Sequence, residues 1–182
     1  MVIHEVSHGY VAVLLGDPTP RLQGRLTLNP LKHIDPLGSI IVPILTSFSG
    51  FTFGWAKPVE WNPYNVKNMR MGELLISAAG PLSNILIALV FGILIRYRMF
   101  DPTFLTLAAY IVLINLTLAV FNLIPVPPLD GSKILFSLLP PRLNYIRESM
   151  ERYGILLMFF VAFVLWNAVN PIVVTLFKWI VG

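Results

Sequence analysis

His4 and His8 stand four residues apart with Glu5 between them, in the run His4-Glu5-Val6-Ser7-His8. On a helix, residues i and i+4 lie one above the other on the same face, so both imidazoles can reach one metal ion. Glu5 then stands beside that ion, placed to take a proton from a water molecule that the ion polarises. The spacing is that of metal-assisted hydrolysis, and its setting is unusual. It sits in an apolar run, residues 1–15, that reads as buried in lipid, where ionisable groups are costly and mark functional sites.

A catalytic zinc uses three protein ligands and keeps a fourth position for water, so the histidine pair leaves it one ligand short. The chain has no cysteine, which excludes disulfides, thiolate zinc sites and cysteine nucleophiles and leaves His and carboxylate as donors. The metzincin continuation is absent, because Val11 and Leu14 occupy its Gly and His positions. Of the candidates for a third ligand, His33 reads as a structural or solvated imidazole. Asp17, Asp35, Glu60, Glu73, Asp101, Glu148 and Glu151 fall mostly in charged connections where a solvated role is the plain reading. Asp130 differs. It closes Asn122-Leu123-Ile124-Pro125-Val126-Pro127-Pro128-Leu129-Asp130-Gly131, directly after an apolar span and before the apolar run 134–139. Three prolines cannot continue a regular helix, and broken backbone at membrane depth is tolerated where it is buried in protein or lines a polar cavity. Taken alone, Asp130 reads equally as a helix cap in a Pro-rich loop; beside a membrane His-Glu-x-x-His it reads as a ligand.

The elements that must position these groups are membrane helices. The 182 residues are 56% hydrophobic and 12% charged, with a mean hydropathy of +0.76, which places the chain outside the soluble range. The expected fold is an all-α polytopic membrane protein of about four transmembrane helices, at 1–15, 72–95, 104–123 and 155–177. The first is short for a span, which needs about 20 apolar residues, and the third is broken at the Pro-rich segment. Residues 37–53 are apolar but carry Gly38, Pro43 and Gly50, and suit a small membrane-associated β-hairpin or a re-entrant loop. If that stretch does not cross, ten of the basic residues share one side against three; if it does, the split is six against seven. The positive-inside rule favours the first arrangement, which puts the 16–71 connection on the cytoplasmic side. The net charge of +4 thus reflects topology, and nucleic acid is not an expected partner.

These residues resemble the site-2 protease family of intramembrane zinc metalloproteases. Its two signatures are matched by His4, Glu5 and His8 and by Asn122, Pro125, Leu129, Asp130 and Gly131, and a third element, Gly-Pro-x-x-Asn, by Gly80, Pro81 and Asn84. Further similarity covers Leu28-Asn29-Pro30-Leu31-Lys32-His33-Ile34-Asp35-Pro36 and Phe53-Gly54-Trp55-Ala56-Lys57-Pro58-Val59. The order looks like the compact bacterial and archaeal branch without a PDZ domain. The resemblance implies a single membrane-embedded metalloprotease domain over 1–182 and one Zn2+ held by His4, His8 and Asp130, with Glu5 as general base. The family carries residues ahead of the histidine helix, so a further span is expected upstream of Met1.

In such a site zinc lowers the pKa of water toward about 7, and Glu5 takes the proton and hands it to the leaving amine. Asn84 and Asn122 are the candidate oxyanion donors, against the plainer role of an Asn bonding a neighbouring helix. Phe53, Gly54 and Trp55 are candidates for a strand that holds an unwound substrate. The expected partners are transmembrane protein substrates and the lipid bilayer, probed from a prokaryotic inner membrane with the site open toward the cytoplasm. Two rival functions share the ligand set: a zinc transporter, in which no base is required, and a non-catalytic zinc-binding scaffold.

Overall fold

The computed structural model describes residues 1–48, 54–161 and 166–182. Every regular element among them is helical, and the chain forms two compact units, Met1–Ile76 and Ser77–Gly182.

In the first unit, α1 (Val2–Leu14) runs into a turn at Gly16, whose φ of +105° is open to glycine. Helix α2 (Thr19–Leu22) follows. Between them Asp17 is fully buried, against the solvated reading of its type. Its carboxylate accepts from Thr19 N at 3.1 Å, Thr19 Oγ1 at 2.6 Å, Asn62 N at 2.6 Å and Asn65 Nδ2 at 2.7 Å. Burial opposes its ionisation, but these donors together outweigh burial and hold it below the ordinary carboxylate value. The α1 turn and the 62–65 segment are thereby tied together, over a small apolar cluster of Ala12, Val66 and Ile76.

The hairpin expected within 37–53 is not formed over its described part. Residues Pro36–Ile41 make a π-type turn and Val42–Ser47 a short helix, α3. The reason is local. Asp35 caps the turn by accepting from Gly38 N at 2.7 Å, Pro36 occupies the first helical position, and Pro43 does the same for α3. These start signals override the β-branched composition. None of the described residues of α3 is buried, and Ile40, Ile41, Ile44, Leu45 and Phe48 present their side chains outward.

Helices α4 (Met69–Arg96) and α5 (Pro102–Asn122) are each long and apolar enough to cross a membrane. They coincide with the expected spans 72–95 and 104–123. Asp101 caps α5 by accepting from Thr103 N at 2.9 Å. In the second unit α5 buries Ala108, Val112, Leu116 and Ala119, a single stripe at helical spacing. This stripe packs with Ala88 and Ile95 of α4 and with Val169 and Val173 of α9 (Trp166–Val181). Lipid is as apolar as these side chains, so close packing rather than water exclusion holds such helices together, and small residues permit it. Gly92 illustrates this: a Cβ there would lie 2.2 Å from Ile180 Cγ2. The expected break after α5 is present. The helix ends at Asn122, and α6 begins only at Asp130 and runs to Leu138. Helices α7 (Asn144–Arg152) and α8 (Gly154–Phe160) follow. Of the expected last span, 155–177, α8 covers the first part, 162–165 lie outside the described residues, and α9 covers the rest.

Candidate metal centre

Both histidines lie on α1 and both are buried. The i,i+4 spacing brings their rings to 4.7 Å between centroids, at 86° to each other. The His8 Nδ1–H donates to the backbone carbonyl of Ile76 at 2.6 Å. A carbonyl only accepts, so this bond fixes the proton on Nδ1 and leaves the lone pair on Nε2. Metal-ligating histidines are oriented in this way, by a donor bond from the ring nitrogen that does not bind the ion. The partner sits 68 residues away in sequence. Nitrogen and oxygen donors without thiolate suit zinc, and the buried, tautomer-fixed His8 fits that ion.

Glu5 lies one residue from His4, with its Oε2 accepting from the backbone N–H of Val59 at 3.1 Å. Val59 belongs to a stretch, residues 54–62, that has no regular structure. Trp55 fastens this stretch to the turn at 36–41: its N–H donates to Gly38 O at 3.0 Å and its carbonyl accepts from Ser39 Oγ at 2.8 Å. The Trp55 indole lies where a Gly38 side chain would stand, within 2.3 Å of an ideal Cβ. Trp55 is therefore engaged through backbone and ring, and Phe53 lies outside the described residues. Lys57 N–H donates to His33 O at 2.8 Å, and His33 itself is buried with Nε2 bonded to Thr27 O at 2.9 Å. This agrees with the structural reading of that imidazole.

In the second unit Asp130 is buried at the first position of α6, where the helix dipole favours a negative charge. The sequence order Asp-Gly has a steric reason. A Cβ at position 131 would lie 2.3 Å from Leu123 O and 2.5 Å from Ile124 O, so only glycine lets α6 start against the end of α5. Asn84 is buried on α4. Asn122, at the last position of α5, donates one Nδ2 hydrogen to Leu118 O at 2.9 Å, which leaves its second amide hydrogen for other use. Sequence reasoning did not find the Ile76 carbonyl or the Val59 amide, because backbone partners carry no residue-type signal.

The sequence compares closely with known peptidases. The profile of Peptidase family M50 matches residues 97–165. YwhC of Bacillus subtilis strain 168, named as a zinc metalloprotease, is 38% identical over 184 aligned positions, covering 92% of this chain and 81% of that protein. Rip2 of Mycolicibacterium smegmatis, named in the same way, is 30% identical over 162 positions, covering 86% of this chain and 61% of that protein. The zinc metalloprotease MJ0392 of Methanocaldococcus jannaschii is 39% identical over 84 positions, covering 43% of this chain and 23% of its own length. No solved structure matches. With most of the Bacillus protein's length aligned to it, the chain belongs to peptidase family M50, the zinc-dependent metallopeptidases of the site-2 protease type.

Proposed function

We propose that the chain cleaves transmembrane substrates within the bilayer, with one zinc ion held by His4, His8 and Asp130 and Glu5 acting as general base. This reading is carried by the bond from His8 Nδ1–H to the Ile76 carbonyl, because a fixed Nε2 lone pair is what a ligand requires and a mere packing histidine does not. Zinc, when bound, supplies a Lewis acid that polarises the scissile carbonyl and acidifies water. Glu5 takes the proton from the attacking water and returns it to the leaving amine. The second amide hydrogen of Asn122, and Asn84 beside it in role, stabilise the oxyanion. The chain is multi-pass in a prokaryotic inner membrane, with four spans and the basic connections cytoplasmic, and the 36–47 element is re-entrant, its apolar side chains facing lipid.

Base and ligands separate in one experiment on the purified protein in lipid, with a transmembrane peptide as substrate. Glu5→Gln is expected to lower cleavage by about 10²–10⁴-fold while zinc content stays near one per chain. His8→Ala and Asp130→Asn lose both activity and zinc. Cleavage that survives Glu5→Gln, or full zinc retention in Asp130→Asn, rejects the assignment.

A further inference from the structure

Glu5 is the one group in this site whose chemistry depends on being both held and free. A general base on a flexible side chain must present one oxygen to the attacking water, and misplacement by about 1 Å can cost on the order of 10²-fold in rate. Its Oε2 accepts from the Val59 N–H, which ties one oxygen and leaves Oε1 for the proton. The donor itself is seated. Val59 is buried, and its side chain packs where Gly9 has none: a Cβ on Gly9 would stand 3.1 Å from Val59 Cγ1, 2.7 Å from Leu26 Cδ2 and 3.2 Å from Pro20 Cβ. Gly9 follows Glu5 by one helical turn on the same face of α1, so the side chain that settles over Gly9 brings its own amide back to Glu5. Pro58 restricts the backbone ahead of it to extended conformations, and the bond from Lys57 N–H to His33 O holds the segment from the other side.

We propose that the Val59 amide, seated on Gly9, is the positioning device of the general base. Val59 is a positioning residue acting through its backbone. The proposal rests on the reading of Glu5 as base, and the two fail separately. Replacing the Val59 amide by an ester, through cell-free synthesis with the α-hydroxy analogue of valine into lipid nanodiscs, removes the donor alone. The zinc-loaded ester variant is expected to lose about tenfold or more in kcat, with KM and zinc content within about twofold of the parent by the same token. Gly9→Ala, which crowds Leu26 Cδ2 at 2.7 Å as well as Val59 Cγ1 at 3.1 Å with every backbone group intact, is expected to lower kcat in the same direction, and adding Val59→Ala to it restores the part of the rate lost through the Val59 seat. In the metal-free protein the Val59 amide proton resonance is expected downfield, and Glu5→Gln moves it. An ester variant with unchanged kcat, one that loses its zinc, or a Val59 resonance indifferent to Glu5→Gln overturns the positioning role. Glu5→Gln that still cleaves overturns the base reading instead, whatever the ester does.

Discussion

Two carboxylates beside α1 receive donors from the same stretch of chain and end with opposite capacities. Asp17 accepts from four donors, the Thr19 amide and hydroxyl, the Asn62 amide and the Asn65 side chain. Its lone pairs are spent, and it can serve only as a fixed anion. Glu5 accepts from the Val59 amide on one oxygen, Oε2. The difference makes Asp17 a staple, and its pH signature follows from those bonds. Its pKa is lowered on folding by those bonds, against the pull of burial, so its stabilisation is complete above the ordinary value near 4 and is lost as pH falls through the folded value. Thermal unfolding in detergent is expected to hold steady from pH 7 to about 5 and to drop below about 4 on this account. Asp17→Asn, which presents an amide to donors, is expected to cost about 2–4 kcal/mol at pH 7 and to flatten that acid limb. An acid limb unchanged in the variant assigns the loss to other groups.

At the level of elements, the junction between α5 and α6 is set by the absence of one methyl group. Gly131 leaves α6 room to begin against the carbonyls of Leu123 and Ile124, 2.3 and 2.5 Å from an ideal Cβ. Backbone atoms cannot swing aside as a flexible side chain does, so Gly131→Ala must shift α6 and carry Asp130 with it. We expect a stability loss of about 1–3 kcal/mol and a fall in zinc content measured on the purified protein. Gly24→Ala is the contrast. Its φ of +63° costs about 1 kcal/mol for a side chain, but nothing lies within 4 Å of the added Cβ, and zinc is retained. Part of this junction was legible beforehand, because three prolines cannot continue a helix, whereas the close approach of Gly131 to the Leu123 and Ile124 carbonyls carries no local signal. The α1 histidines were legible by a local rule too, their spacing being the helix's own period. Of the two alternatives for 37–53, a hairpin or a re-entrant loop, the hairpin is not formed over the described part. There Ile40, Ile41, Val42 and Ile44 suggested strand, while Asp35-Pro36 and Pro43 carried the helix-start signals that prevailed. Asp17 escaped notice because Asn62 and Asn65 are 45 and 48 residues on, and no local pattern announces so distant a partner.

Across the whole chain, the distribution of charge makes a claim about the membrane that helix geometry alone does not. On the proposed topology, in which 36–47 does not span, Arg21, Lys67 and Arg142 would lie on one side and Arg98 on the other, the ten-to-three division of basic residues. Were 37–53 a crossing, Arg21 and Lys67 would fall on opposite sides and the division would be six to seven. The 36–47 element has 12 residues, which as helix would cover roughly 18 Å, short of the ~30 Å hydrocarbon core. Absence of cysteine from the sequence makes the distinction measurable without background labelling. Single substitutions Arg21→Cys, Lys67→Cys, Arg98→Cys and Arg142→Cys, probed in intact cells with a membrane-impermeant maleimide, are expected to label only at position 98, the other three reacting after permeabilisation. Labelling of Lys67→Cys from outside makes 37–53 a true span, turns over every later connection, and moves Asp130's loop to the face opposite Arg21.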